Sequence, residues 1–287
     1  MTHDLTSLLT NRGSLRTLIT ANQLSSGFSG ILLEKDFYLT VLLLQLSHIG
    51  HGLIFKGGTC LNKCYLGYYR LSEDLDFIHS HSGDTTRSAR KDDLQKTDEL
   101  LHGIIAQLPG MTCGTAEKFD EHHQFRVTVR YDSFFMYNAS IKLEVTHRHA
   151  LYNVPRAMRI QHQFIHPVTG NPYADTGTIL SIDLEEAAAE KVRACLTRRN
   201  PAIRDFFDLW YIKEHTETDL LGKKFFMLVQ NKLRESDGII DLDKSVKLLE
   251  KQIDEELIPT LNKKYLFDLK ETITFVQSFR NSPKGTK

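Results

Sequence analysis

The chain has 287 residues, 41% hydrophobic and 25% charged, a balance that fits a soluble globular protein and excludes a disordered or fibrous one. Its 36 Lys and Arg match its 36 Asp and Glu, so there is no overall basic field for gripping nucleic acid, and any phosphate site must be a local patch. Four scattered cysteines, Cys60, Cys64, Cys113 and Cys195, exclude a disulfide framework and read as small buried hydrophobes suited to a reducing cytoplasm.

The opening residues, MTHDLTSLLTNRGSLRTL, are polar and lack the apolar core of a signal peptide. Residues 34–49 form a mostly buried helix stopped by Gly50 and Gly52. Its apolar run is broken by Thr40, Gln45, Ser47 and His48, and is too short and polar to span a bilayer. A cytoplasmic protein without a membrane partner, monomeric in solution, is expected. A short strand at 53–55 runs into Lys56-Gly57-Gly58-Thr59, a helix follows over 60–67, and a strand spans 71–78. Residues 87–107 read as a helix stopped by Pro109-Gly110. The runs 125–131 and 140–147 alternate apolar with polar residues and read as an antiparallel pair. Segment 151–180, rich in Pro and Gly, is expected to connect with little regular structure. Helical patterns follow at 183–198, 201–215, 219–234, 242–255 and 260–279, with the Met, Phe and Tyr of 206–229 in the core. The expected organisation is a core over 1–150 with N-terminal helices, a connection over 151–180, and a helical domain over 181–287 that completes a cleft.

Residues 55–77, FKGGTCLNKCYLGYYRLSEDLDF, concentrate the chemistry. A Gly57-Gly58 turn between strand and helix lets main-chain N–H groups approach a phosphate unobstructed, and the helix start adds positive potential. Thr59 offers a hydroxyl to the same phosphate. Asp74 and Asp76 stand two apart on a strand, so both carboxylates point to one face. Carboxylates so placed repel each other unless a cation lies between them. Mg²⁺ (or Mn²⁺), held by one or two carboxylates together with substrate phosphates, suits the pair. Glu144, on the later strand with Lys142 on its face, is the candidate third metal ligand; a solvated strand face is the alternative. Lys63, one turn into the first helix, and Arg70 are placed to neutralise phosphate charge. GGT turns and D-x-D pairs are each common, but their conjunction with a following acidic strand is specific.

The order strand, GG[ST], helix, D-x-D strand resembles the polymerase-β-type nucleotidyltransferases. The fuller set, EKDFYLT at 34–40, FKGGTCLNK at 55–63, RLSEDLDF at 70–77, EEAAAEKVRACLTRR at 185–199 and RDFFDLW at 204–210, resembles the AbiEii toxin family. The resemblance implies an α+β fold, with a mixed or antiparallel sheet flanked by helices and a C-terminal helical bundle. It implies Asp74 and Asp76 as metal ligands, Gly57, Gly58 and Thr59 as the phosphate turn with Lys56 beside it, and Lys63 on the triphosphate. Ser72 is similar in position to a hydroxyl that is modified in some relatives. Lys191 is implied to reach the nucleotide from the helical half, with Asp205 and Asp208 in the shared cleft. Relatives vary at the third carboxylate, which leaves the role of Glu144 open. The implied activity is transfer of a nucleoside monophosphate from an NTP to an acceptor hydroxyl, an RNA or tRNA 3′ end or a protein. The implied setting is a toxin–antitoxin system with a winged-helix antitoxin.

Lys191 and Arg198 stand seven apart and share a helix face, and Arg204, Asp205 and Asp208 follow. An ion-pair network between two helices is the alternative to nucleotide contact. Lys191, Arg193, Arg198, Arg199 and Arg204 form the candidate basic stripe for RNA. The same site in a phosphotransferase, or in a non-catalytic nucleotide-binding module, are the competing functions. His79/His81, His122-His123 and His147-Arg148-His149 lack zinc-ligand spacing, and no nucleophile elbow supports a Ser/His/Asp hydrolase.

Overall fold

The computed structural model describes residues 4–48, 52–79, 86–119, 124–147, 151–236 and 238–280. The chain divides into two compact units, one formed by Met1–Leu151 with Pro155–Ile182, the other by Tyr152–Val154 with Asp183–Lys287.

The first unit opens with α1 (Arg12–Ser26), whose N-terminus is capped by the Asn11 side chain and which ends at Gly27 in the left-handed region. Helix α2 (Gly30–Ser47) is capped by Ser29 and is buried nearly all round, as an apolar helix without a polar face must be. It is followed by β1 (Leu53–Lys56) and α3 (Gly57–Cys60), which continues through wider π-type turns over Leu61–Leu66. Next come β2 (Asp74–His79), α4 (Arg87–Ile105), β3 (Met111–Cys113), β4 (Glu117–Phe119), β5 (Gln124–Tyr131), β6 (Ser140–Thr146), β7 (Arg156–Arg159) and β8 (Thr178–Ser181).

The strands form one mixed sheet in the order β3-β5-β6-β2-β1-β8-β7, with β4 on β5. β5 and β6 pair antiparallel, as their alternation predicts, while β2 pairs parallel with β6 and β1 pairs parallel with β8. The α+β class with a mixed sheet flanked by helices is thus what the chain adopts. Leu75, Phe77, Phe125, Val127, Val129, Ile141, Leu143 and Val145 turn to one face and are almost wholly buried, and α2 packs against β2, β6 and β8.

Several expectations need correction; the helix read over 260–279, for one, begins only at Leu269. Segment 151–180 contributes β7 and β8, so it carries regular structure where little was expected; strands of four residues flanked by Pro and Gly are too short to show a period. The strand expected from residue 71 starts at Asp74, because Tyr69, Arg70 and Leu71 tuck inward instead of pairing.

The second unit is helical. α5 (Leu184–Thr197) starts at Asp183, whose carboxylate accepts from the Glu185 and Glu186 amides. It packs against α6 (Ile203–His215) and α7 (Lys223–Arg234), and α8 (Val246–Gln252) and α9 (Leu269–Gln277) complete the bundle. Phe206, Phe207 and Phe225 are core residues as expected, but Met227 is 55% exposed. Lys232 on α7 is buried between Glu186 at 2.6 Å and Glu190 at 2.9 Å. All four cysteines are free, and Cys60, Cys64 and Cys195 are buried. Among the described residues no helix is long and apolar enough to cross a membrane.

Candidate active site

β1 delivers the chain into Gly57 at φ +79°, a left-handed conformation that costs an L side chain about 1–2 kcal/mol. A Cβ there would stand 2.2 Å from Asp76 Oδ2 and 3.0 Å from Asp76 Cβ and Cγ. The Asp76 side chain therefore lies directly against the turn. At Gly58 a Cβ would stand 2.7 Å from Arg70 Nη2 and 2.9 Å from Ser72 Oγ. The turn is a bare main-chain surface ringed by Asp76, Arg70 and Ser72. Gly57→Ala is expected to lower stability by about 1–3 kcal/mol and to displace the Asp76 carboxylate. Thermal unfolding and a transfer assay on the same preparation check this, and unaltered turnover would contradict it.

Thr59 is not directed as expected. The Thr59 hydroxyl, on a residue 1% exposed, donates to the Asp74 carbonyl oxygen at 2.5 Å. It ties the helix start to the strand bearing both aspartates instead of reaching outward. Arg70 is 2% exposed, donates from Nη1 to the Leu71 carbonyl oxygen at 3.1 Å, and holds Nη2 against Gly58.

On β2, Asp74 and Asp76 alternate with the buried Leu75 and Phe77 and so share the sheet's polar face. The register sets Asp76 opposite Lys56 on β1 and opposite Glu144 on β6, and sets Asp74 opposite Lys142. Lys56, Asp76 and Glu144 thus form one row across three strands. The Glu144 carboxylate accepts from Arg126 Nε at 2.6 Å and Gln124 Nε2 at 3.4 Å. Among the described residues it does not gather with Asp74 and Asp76 into a group of three whose ligand atoms lie within 4.8 Å of one another. Glu144 stands beside Asp76 in that row, but its carboxylate is directed to Arg126 on β5. Asp76 against the turn and Asp74 on the same sheet face offer hard oxygen donors of the kind that suit Mg²⁺.

Lys63 lies where the expectation fails. It is fully buried, 2.7 Å from Asp36 Oδ1, and its ammonium donates to Thr40 Oγ1 at 2.8 Å and Tyr68 Oη at 2.9 Å. Asp36 and Thr40 are one turn apart on α2, so this face of the EKDFYLT segment receives the lysine. In this arrangement Lys63 anchors the post-turn helix to α2 and does not face a triphosphate. The same segment supports the site twice more. Glu34 accepts from the Phe134 amide at 2.8 Å and from the Ser133 hydroxyl, and Lys35 pairs with Glu73 at 2.9 Å.

In the helical unit, Lys191 Nζ stands 2.7 Å from Asp205 Oδ1 and 2.8 Å from Asp208 Oδ2, and Arg198 Nη1 stands 2.6 Å from Asp205 Oδ2. The four residues singled out in α5 and α6, and at the end of α5, do form one ion cluster. Arg193 pairs with Glu190 at 2.7 Å, so three of the five stripe cations, Lys191, Arg193 and Arg198, face carboxylates within the unit. Burial by itself pushes the Asp205 carboxyl up, but the charges of Lys191 and Arg198 outweigh it and hold the pKa below the ordinary 3.8. A depressed folded-state pKa contributes stability that is present above the unfolded value and is lost as pH falls through the folded value. The helical unit is therefore expected to lose stability as pH drops below about 4, and Asp205→Asn to flatten that acid limb. Acid titration followed by circular dichroism checks this, and an unchanged limb in the variant would refute it.

The profile described as "Nucleotidyl transferase AbiEii toxin, Type IV TA system" matches residues 41–281. The chain belongs to the AbiEii family. It is accordingly a nucleotidyltransferase, the toxin component of a toxin–antitoxin system. Among solved structures it is similar to MenT4, a nucleotidyltransferase toxin from Mycobacterium tuberculosis H37Rv. The identity is 17%, the match covers 93% of this chain and 99% of that one, and the TM-score is 0.48. No curated protein gives a match.

Two of the histidines set aside for want of zinc-ligand spacing, His79 and His147, do come together in this AbiEii chain. His79, Asp93 and His147 each offer a ligand atom, and these atoms lie within 4.8 Å of one another. The two imidazoles stack with centroids 4.6 Å apart. Spacing along the chain gives no hint of the group, because three separate elements supply it. The available signal was a histidine closing one apolar strand, His79 on β2, and another just beyond a second, His147 after β6. His81, His122, His123 and His149 lie outside the described residues.

Proposed function

We propose that the chain moves a nucleoside monophosphate from an NTP to the 3′ hydroxyl of an RNA, tRNA foremost. It would do so in the cytoplasm, restrained by a winged-helix antitoxin. The observation that carries this reading is the Asp76 carboxylate lying against the bare Gly57-Gly58 turn. A triphosphate needs a main-chain cradle, and a carboxylate beside it is where a metal-bridged phosphate oxygen belongs. Asp74 and Asp76 would hold Mg²⁺ (or Mn²⁺), which when bound offsets triphosphate charge and lowers the pKa of the attacking hydroxyl.

The protein's own part is positioning. Main-chain N–H groups of Gly57 and Gly58 take the phosphate, with the Arg70 charge against Gly58 and Ser72 at the rim. Lys56, in the row of Asp76, adds a cation at the edge of the turn. Within the helical unit, Lys191, oriented by Asp205 and Asp208, is a candidate phosphate contact in its own right. The acceptor oxygen bonds to the α-phosphorus, the bond to the β-phosphate oxygen breaks, pyrophosphate leaves, and the hydroxyl proton passes to solvent.

The test is incubation with Mg²⁺, each α-³²P-labelled NTP and total RNA, beside Asp74→Ala. Label on RNA with pyrophosphate released, absent from the variant, supports the reading and names the base. Transfer of γ-phosphate with nucleoside diphosphate released would instead assign a phosphotransferase. Label on a protein hydroxyl would move the acceptor, and NTP binding without transfer to RNA or protein would sink the proposal for these acceptors.

A further inference from the structure

We propose that His79, Asp93 and His147 form a second metal site, for a divalent first-row transition ion of the zinc class, distinct from the carboxylate pair on β2. The parallel pairing of β2 with β6 sets Ile78 opposite Thr146, and the next residue on each chain is a histidine. By the two-residue period both imidazoles belong to the face of Phe77 and Val145, the buried one. Their exposures are 6% and 1%. Asp93 comes from α4, where its carbonyl accepts from the Thr97 hydroxyl at 2.8 Å, and its side chain is 24% exposed.

The distances suit an ion better than a direct contact. His79 Nδ1 stands 3.9 Å from Asp93 Oδ2, beyond hydrogen-bond range. Two donors at tetrahedral angles, each about 2.1 Å from a zinc ion, stand roughly 3.4 Å apart. A small rotation of the partly exposed Asp93 side chain closes that difference. Two imidazoles and one carboxylate are a zinc-type donor set that leaves a coordination position for water or another ligand. Mg²⁺, which prefers oxygen donors, is directed by this chemistry to Asp74 and Asp76. An ion held by the three residues would fasten α4 to the ends of β2 and β6, three residues beyond Asp76 on the same strand.

The test uses the full chain stripped with a chelator and titrated with Co²⁺ and Zn²⁺, read by the visible spectrum of Co²⁺ and by calorimetry. Asp74→Asn/Asp76→Asn removes the carboxylate pair, and Asp93→Asn removes one ligand of the proposed site while keeping its shape. One equivalent of Co²⁺ with nitrogen-donor absorption is expected in wild type and in the double variant, weakened by about 100-fold or more in Asp93→Asn. Zn²⁺ at a hundredfold excess over its Kd should raise the wild-type unfolding temperature by roughly 5–10 °C and leave Asp93→Asn unmoved. Unfolding of the stripped proteins shows whether Asp93→Asn is folded; His147→Gln gives the same readout from a second ligand. Absence of a stoichiometric Co²⁺ complex, its loss in the double variant, or undiminished affinity in both single variants would overturn the proposal.

Discussion

Asp76→Asn is expected to lower nucleotidyl transfer by roughly 10²–10³-fold while shifting the unfolding midpoint by only a few degrees. The rate loss follows from the position of the side chain. Its carboxylate lies against Gly57, in the row shared with Lys56 and Glu144, where the proposed triphosphate would need its charge balanced. A thousandfold loss corresponds to about 4 kcal/mol of barrier, the size found when one preorganised electrostatic contact is removed. The isosteric amide keeps the shape against the turn, so stability has no comparable reason to fall. Glu144→Gln is the matched control. Because Glu144 is engaged by Arg126 and Gln124, its turnover is expected to stay within about tenfold of wild type, well short of the loss at Asp76. Steady-state rates and unfolding curves on all three proteins decide the matter, and equal losses at Glu144 and Asp76 would restore Glu144 as a third ligand.

The legible part of this protein is the part written in local periods. Alternation along 124–131 and 140–146 reveals two strands, and the D-x-D on β2 reveals a shared face, because both depend on a two-residue period. The Gly-Gly turn is legible for a related reason: a left-handed residue pressed by a carboxylate leaves room for glycine alone. What stays hidden depends on partners far along the chain. The parallel contact of β2 with β6 puts Glu144 beside Asp76 and His79 beside His147, and no local pattern encodes it. Arg126, one strand further on, then takes the Glu144 carboxylate. β7 and β8 each have four residues, too few for a period to register. A lysine one turn past a phosphate turn reads as a phosphate ligand, and nothing near it in sequence reveals that Asp36 on the preceding helix waits at 2.7 Å.

That lysine carries the largest expected stability effect. Lys63→Met should destabilise the first unit by about 3–5 kcal/mol, since it leaves the buried Asp36 carboxylate without its cation. Asp36 is 1% exposed and Thr40 is fully buried, so water cannot readily replace the lost ammonium. The cost belongs to the unbalanced charge and not to a lack of alternatives for the fold. A well-packed apolar pair in place of a buried ion pair is often neutral or better. Lys63→Met/Asp36→Leu should therefore recover most of the loss, a pattern a phosphate ligand would not produce. Denaturant unfolding of the two single variants and the double variant measures the coupling directly. If Lys63→Met kept wild-type stability and only raised KM for the NTP, the lysine would face the substrate during turnover and its role would be catalytic. If the double variant recovers stability and retains transfer, the EKDFYLT helix acts as the scaffold that sets the turn against Asp76, and the cation of the site must be sought at Lys56 or Arg70.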